Sequence, residues 1–492
     1  MRVAVIGAGP AGMTAALQLS RDGVEVDVYE ADQCVGGLAR SLDLWGQRVD
    51  LGPHRFFSTD ARVNRLWLDV VGDRYAMVDR LTRIYFKRRF IAYPLKPLNS
   101  IFSNNLPEAA LCLASYLKQQ LRFRSPTTDD ASFETWIVRR FGRRLFEMFF
   151  KSYSEKLWGI PCDELSADFA AQRIKQFSLP EAVKSALWPR RANRHKTLAD
   201  RFAYPLGGTG SVYESMADRL REYGGRVHLD CPVRCVLHDN RHVRGIELHQ
   251  GRLEYYDHVI STMPLTSLVR GMADVPVEVQ AAVDSLEFRN TMLVYLHVDS
   301  ESLFADQWLY IHAPELQTGR VTNFRNWAPP LHGRRQTTIL AVEFWCNDSD
   351  PIWNAADDRL IEQATGELRS IGLLRDERML AGHVVRLRRC YPVYRRGYHE
   401  HVERIADYLR GFRGLTLIGR YGTFKYNNQD HSILMGILAA ENLLDDRAHD
   451  LWSVNTDYET FQEKALITET GLVSQPTRQT AAKRPMTIAG SH

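Results

Sequence analysis

The chain has 492 residues, 45% of them hydrophobic and 25% charged, a length that calls for more than one core and a composition ordinary for a folded protein in water. A net charge of +4 is thin for that length; it excludes a dense basic face for nucleic acid, while a local basic pocket for a small anion stays open. No stretch approaches the roughly eighteen apolar residues of a membrane span, the N-terminus has no secretory pattern, and the seven cysteines follow neither disulfide nor zinc spacing, so a reduced, cytoplasmic setting without a metal site is expected.

Arg2 to Ile6 is a short apolar run that predicts a buried strand, and Val24 to Tyr29 predicts a second. Between them Gly7-Ala-Gly9-Pro-Ala-Gly12 opens a helical stretch, and the second strand ends on Glu30. Strand, glycine turn, helix, strand and acid in that order form the pattern of a dinucleotide site. Gly7 permits the tight turn, Gly9 lets the backbone approach a pyrophosphate, and Gly12 lets the helix pack on the strand. The helix N-terminus faces the phosphates and Glu30 accepts from a ribose hydroxyl. Downstream, Gly36 and Gly37, followed by Leu38, give another close approach to the pyrophosphate, which favours FAD over NAD. No second glycine pattern of this kind occurs. NAD(P)H as a reductant would therefore bind on the flavin domain or in a cleft.

Asp50 to Phe57 reads "DLGPHRFF". Gly52 and Pro53 are expected to hold the backbone at the edge of the flavin ring, with His54 beside the reactive centre; the alternative is a loop histidine with no role. Residues 83–93 predict a hairpin turning at Lys87 to Arg89. From about 97 the texture is helical. Leu113, Leu117 and Leu121 recur at i, i+4 and i+8, and Phe133, Trp136, Ile137, Phe141, Leu145, Met148 and Phe149 form one stripe, with Ser132 as N-cap. These aromatics are expected to be core.

Residues 204–220 read as a glycine turn entering a helix, 224–251 as alternating strands, and 258–264 as a further strand and turn. Four strand-like runs between 290 and 390 suggest an antiparallel sheet. Residues 415–444 read as strand, polar loop and helix, with the helix N-terminus near His431 and Ser432 pointed at the flavin. The expected fold is α/β: a Rossmann-like FAD-binding domain assembled from 1–82, 200–268 and 410–450, an inserted helical domain at 97–198, and an antiparallel-sheet substrate domain at 83–96 and 269–409. Residues 470–492 are expected to be a disordered tail.

Read together, "GAGPAG", "GGLA", "GPHRF", "IAYP", "FETWIVRRFG", "SYSEKLWGIP", "AAQRI", "YPLGGTGSVY", "GRVTNFRNWAP" and "GRYGTFKYNNQDHS" resemble the UDP-galactopyranose mutase family, particularly its long eukaryotic-type members. More loosely they resemble the protoporphyrinogen oxidase and amine oxidase superfamily. The resemblance implies an isomerase that interconverts the pyranose and furanose rings of a UDP-sugar on reduced FAD, through an adduct between flavin N5 and the sugar. It implies Arg173 and Arg320 as diphosphate arginines, with Tyr391 and Tyr426 beside them and His54 on the loop that senses flavin redox state. Trp308 and Tyr310 correspond to flap aromatics, and Tyr93, Lys96 and Trp158 to the nucleobase pocket. Arg420, Asn428, Gln429 and Ser432 correspond to flavin contacts, and Val233 to an adenine contact. Three positions depart from the family: Lys96 stands for glutamine, Ser154 for asparagine, and the loop from Tyr426 to Gln429 is shorter. The base and sugar stay open, as does a homo-oligomeric state. An FAD-dependent oxidoreductase of the amine oxidase type is the alternative.

Overall fold

In the computed structural model, which describes residues 1–93, 106–122, 132–168, 201–454, 465–468 and 471–474, the strand Arg2–Ile6 lies at the centre of a five-stranded sheet. Its neighbours run Leu415–Leu417, His258–Ser261, Arg2–Ile6, Glu25–Tyr29 and Arg226–His228, and every pairing is parallel. Val3, Ala4 and Val5 are fully buried, as a strand covered on both faces requires. The sheet draws on the start, the middle and the end of the chain.

Helix Pro10–Arg21 follows the first glycine turn. Helix Gln429–Leu444 crosses it. A Cβ on Gly436 would stand 2.6 Å from the carbonyl oxygen of Ala11 and 2.7 Å from Thr14 Cβ. Glycine at 436 therefore lets the two backbones touch, and the last helix fixes the first one over the sheet. The runs Val233–Asp239, His242–Leu248 and Leu253–Tyr255 form an antiparallel meander; the first two fall in the alternating stretch 224–251, whose opening strand, Arg226–His228, joins the parallel sheet instead.

The second sheet has seven strands, in the order Met379–Pro392, Phe288–Val298, Thr338–Cys346, Arg320–Asn323, Trp308–Ile311, Thr82–Phe86 and Arg89–Tyr93. Its two faces follow strand alternation. Met292, Val294, Leu296, Leu309, Ile311, Val321, Leu340, Val342 and Phe344 share a core with Leu360, Ala364 and Leu368 of helix Asp357–Ser370. Leu293, Tyr295, Trp308, Ala341 and Trp345 face the opposite way, into the core shared with the helical part and the nucleotide domain. Two features depart from the expected antiparallel sheet. Trp308–Ile311 runs parallel to Thr82–Phe86, because the two come from distant parts of the chain and need no hairpin between them. Arg320–Asn323 is itself a strand, although four residues are too few to show a period.

In the helical part Ser132 caps Phe133–Phe141 by accepting from the Thr135 amide. Phe133, Trp136, Ile137, Phe141, Leu145 and Phe149 are buried together. The hairpin at Lys87 and Arg88 turns with φ of 46° and 60°, the left-handed pair of a tight two-residue turn. Residues 471–474, expected to belong to a disordered tail, form a strand instead. Ala465–Thr468 pairs with Gly471–Ser474, Leu466 and Ile467 are buried on its opposite faces, and Tyr75 Oη donates to the Thr468 carbonyl at 2.7 Å. Residues 475–492 lie outside the described residues.

Gly436→Ala should force the crossing helices apart and cost about 1–3 kcal/mol, the usual range for overpacking. Urea unfolding of the purified protein checks this, and an unchanged midpoint would contradict the crossing geometry.

Candidate active site

The nucleotide end is a cradle of backbone. Gly7 has φ +97°, and a Cβ there would meet Thr262 Oγ1 at 2.1 Å. Gly12 lies under the same turn, where a Cβ would meet the Gly7 carbonyl oxygen at 2.0 Å. The second glycine pair closes on the first: Gly36 donates to the Ala8 carbonyl at 2.8 Å, and a Cβ on Gly37 would meet Gly9 Cα at 3.2 Å. Leu38 sits in the short turn Gly37–Ala39. The first turn of helix Pro10–Arg21 has no side-chain cap, so its amides are aimed where a pyrophosphate needs donors. Glu30 accepts from the amides of Ala8 at 2.7 Å and Asp32 at 3.0 Å, which orients its carboxylate at the end of the second strand. This donor set fits FAD, and these residues would hold its diphosphate and adenosine half. Val233 opens the meander next to that end of the sheet.

Asp50 organises the loop that follows. It is fully buried, and it accepts from Ser41 Oγ at 2.6 Å, Tyr204 Oη at 2.7 Å and the Thr209 amide at 3.1 Å. Thr209 Oγ1 lies 2.8 Å from Asp50 Oδ2 and 3.0 Å from the His54 carbonyl oxygen, so one hydroxyl joins the carboxylate to the loop. Tyr295 Oη, from the seven-stranded sheet, donates to the Asp50 carbonyl at 2.8 Å. Burial lifts the Asp50 carboxyl above the usual range despite these donors. Gly52 has φ +91°, and a Cβ there would lie 2.9 Å from Glu343 Oε1, so only glycine allows the loop this close to the sheet. Pro53 fixes the next turn of backbone. His54 Nδ1 is buried without a hydrogen-bond partner, and burial, then the charges of Arg320 and Arg420, push the imidazole down to about 3. It is neutral at neutral pH.

Arg320 stands directly across the sheet from Glu343 and Tyr310. Its Nε donates to Glu343 Oε1 at 2.6 Å and Nη2 to Oε2 at 2.7 Å, with the two side chains 18% and 2% exposed. The guanidinium is thus a fixed, compensated charge whose remaining N–H groups are aimed by the pair. The field of Arg320 reaches Tyr153, Tyr391 and His54. The rings of Tyr391 and Tyr426 stack at 5.4 Å. Arg420 lies 5.0 Å and 4.2 Å from those two ring centres while its Nε and Nη1 donate to the carbonyls of Cys390 and Asn427. Burial raises Tyr153 and Tyr391 well above the ordinary phenol range, so both stay protonated as neutral donors.

The structure brings most of the expected residues to this place. Trp158 ends helix Ser152–Trp158, stacks on Tyr394 at 5.8 Å and meets the edges of Tyr391 and Tyr426. Tyr310 packs between Tyr93 and Tyr153. Trp308, expected as a flap residue over substrate, is instead 5% exposed and packed on Phe202 and Trp327, which cover its end of the strand face. Asn428 caps helix Gln429–Leu444 with His431, Gln429 Oε1 accepts from Tyr213 Oη at 2.7 Å, and Ser432 is buried in the first turn. The side chains of Asn428 and Gln429 therefore shape the helix start. Arg173 and Lys96 lie outside the described residues.

Three residues of the site escaped the sequence reading. Glu343 is a lone acid in Thr338–Cys346, a strand buried along its whole length; an acid there signals a buried cation opposite. Lys156 donates to the carbonyls of Ile311, Ala313 and Thr318 at 3.0, 2.9 and 3.0 Å and pins the end of the Trp308–Ile311 strand. Tyr153 gives no sequence signal beyond its place beside Ser154.

Residues 10–444 match the flavin containing amine oxidoreductase family, and the chain belongs to that family. It is 29% identical over 270 residues to the zeta-carotene desaturase of Solanum lycopersicum, covering 49% of this chain and 42% of that one. It is 27% identical over 183 residues to a probable UDP-galactopyranose mutase of Klebsiella pneumoniae, covering 36% of this chain and 46% of that one. The matched part thus spans under half the length of either relative. The crystal structure of a reduced UDP-galactopyranose mutase shares the fold, with a TM-score of 0.82 and 23% identity over 93% of this chain and 96% of that one.

Arg320→Ala should destabilise the protein by about 3–5 kcal/mol, because it strands the Glu343 carboxylate in the interior, whereas the double replacement Arg320→Met with Glu343→Met should cost less than the sum of the two single changes. Chemical denaturation of the four proteins checks the pair, and strict additivity would contradict it.

A pH dependence also follows. Burial pushes His54 and His312 down to about 3 and His258 down to about 4, against roughly 6.5 when unfolded. Their contribution is complete above about pH 6.5 and is lost as pH falls toward 4 and 3, because the unfolded chain binds the extra protons. His258→Gln should take up roughly one proton fewer on unfolding near pH 5, seen as a shallower fall in the urea midpoint between pH 6.5 and 4.5.

Proposed function

We propose that this protein interconverts the pyranose and furanose rings of a nucleotide sugar, a UDP-hexose, on reduced FAD. The observation that carries this reading is the fixed guanidinium of Arg320 beside the His54 loop, ringed by Tyr153, Tyr391 and Tyr426. A planar donor fork suits phosphate oxygens. The Tyr153 and Tyr391 phenols, kept protonated by burial, add donors without adding charge. A neutral His54 adds no further positive charge to those of Arg320 and Arg420. Bound and reduced, FAD would supply an electron-rich centre able to engage the anomeric carbon. The chain's own task is to hold the diphosphate, exclude water with its aromatic walls and keep the sugar in register with the ring. Arg173 is proposed as the second diphosphate arginine. The fold likeness to a reduced mutase supports the reading.

A second reading is an FAD oxidoreductase acting on an amine, a porphyrinogen or a polyene. Two observations favour it: Glu343 compensates the Arg320 charge, and the desaturase relative matches about half of this chain.

The test is anaerobic incubation of the dithionite-reduced protein with a panel of UDP-hexoses, followed by chromatography. Ring-isomerised product is expected with reduced protein and none with oxidised protein. Steady oxygen consumption with an amine, porphyrinogen or polyene, and no isomerisation, would establish the second reading instead. Tyr391→Phe should lower kcat/KM by about tenfold, the equivalent of one hydrogen bond of about 1.4 kcal/mol, with flavin content unchanged.

A further inference from the structure

The motif "GPHRF" holds one residue that still has no task. Arg55 follows His54 in the loop that starts at Asp50, and its chain neighbours are tied down on both sides. The His54 carbonyl accepts from Thr209 Oγ1 at 3.0 Å. Phe56 is buried, stacked on Trp67 at 4.6 Å and bridged through its backbone to Ala203. Strand-like alternation at this bridge turns Arg55 away from the core that takes Phe56. Solvent reaches Arg55, yet protein surrounds it: burial, then the charge of Arg80, holds its guanidinium below the ordinary arginine range. An arginine that is exposed and enclosed at once lines a recess.

Aromatic rings identify the recess. The Phe57 ring centre lies 5.8 Å from the guanidinium carbon. Tyr93 and Tyr310, an edge-to-face pair at 5.4 Å, both act on the Arg55 charge. Tyr310 stands directly across the sheet from Arg320, and a Cβ on Gly52 of the same loop would lie 3.7 Å from Arg320 Nη2. Arg55 therefore shares a wall with Arg320, on the Tyr93 side of it. The two cations differ in what they have left to give. Both oxygens of Glu343 hold Arg320, so that pair carries no net charge. Among the described residues Arg55 makes no hydrogen bond and no ion pair. Asp430, an acid whose charge reaches it, contacts His431 at 3.2 Å. An enclosed cation without a counter-charge is costly until an anion joins it.

We propose that Arg55 is the charge-bearing anchor for the substrate's diphosphate. This rests on the nucleotide-sugar reading above and divides the work within it. The compensated fork of Arg320 offers directed donors and sets orientation. The uncompensated guanidinium of Arg55 supplies the attraction, and attraction of that kind is weakened by salt.

The experiment is calorimetric titration of UDP into the oxidised, FAD-loaded full chain at about 0.05 M and about 0.5 M sodium chloride. The parent should bind UDP, about tenfold more weakly at the higher salt. Arg55→Gln should lose about tenfold or more in affinity at low salt and most of the salt dependence. Arg55→Lys should recover part of both. Flavin content and melting temperature should match the parent in each variant; a fall in both variants would mark a structural role and overturn the anchor. So would parent-like UDP affinity in Arg55→Gln, or a loss of affinity with the salt dependence unchanged. The isomerisation assay on the reduced parent separates the two claims. UDP binding that depends on Arg55, without isomerisation of any UDP-hexose, would remove the mutase reading and leave the anchor standing. A parent that binds no UDP would remove both.

Discussion

A buried carboxylate is the constraint from which the rest of the site follows. Asp50 ends one strand, yet it gathers donors from Ser41, Tyr204 and Thr209, and its backbone carbonyl receives Tyr295 from the other sheet. An acid in the interior is tolerable only when such partners surround it. Satisfying it therefore fixes four segments of chain at one point. The loop that starts there has little freedom left. It must pass over Glu343 at Gly52 and present His54 with its carbonyl tied to Thr209. The position of the His54 loop is thus inherited from a buried polar cluster behind it.

The seven-stranded sheet works as a partition. One face is a plain hydrocarbon core under a helix. The other carries the Arg320 and Glu343 pair, Tyr310, and the aromatic ring set around Tyr391. Alternation along each strand makes this division possible, since neighbouring residues serve opposite faces. The ion pair is held in a dry place by the same strands that supply the core behind it. That dryness strengthens whatever charge recognition the arginine performs.

The two glycine motifs are legible in the sequence because their meaning is local: a turn, a close approach and a helix start follow within a few residues of each other. Arg320 is legible only through the motif around it. Its partner is not announced, although a single glutamate in nine buried strand residues is a readable anomaly. Strand direction is invisible to periodicity, which explains the unanticipated parallel pairing of Trp308–Ile311 with Thr82–Phe86. Trp308 shows a related limit. It shares a sheet face with Tyr310, two residues away, but that face is core at one end and site at the other; only tertiary packing separates them. The leucine spacing at 113, 117 and 121 is read correctly as one helix face, yet the period does not say which way the face points.

The way the parallel sheet is threaded has a consequence for biosynthesis. Its central strand leaves the ribosome first, but the edge strand Leu415–Leu417 and the helix that clamps Pro10–Arg21 are among the last described segments to emerge. Pairings that span so much of the chain are slow to form and leave unpaired strand edges waiting. The nascent polypeptide must wait for most of its own translation before the glycine cradle is complete. Completion of the cradle therefore waits on helix Gln429–Leu444, more than four hundred residues after the glycines it holds in place.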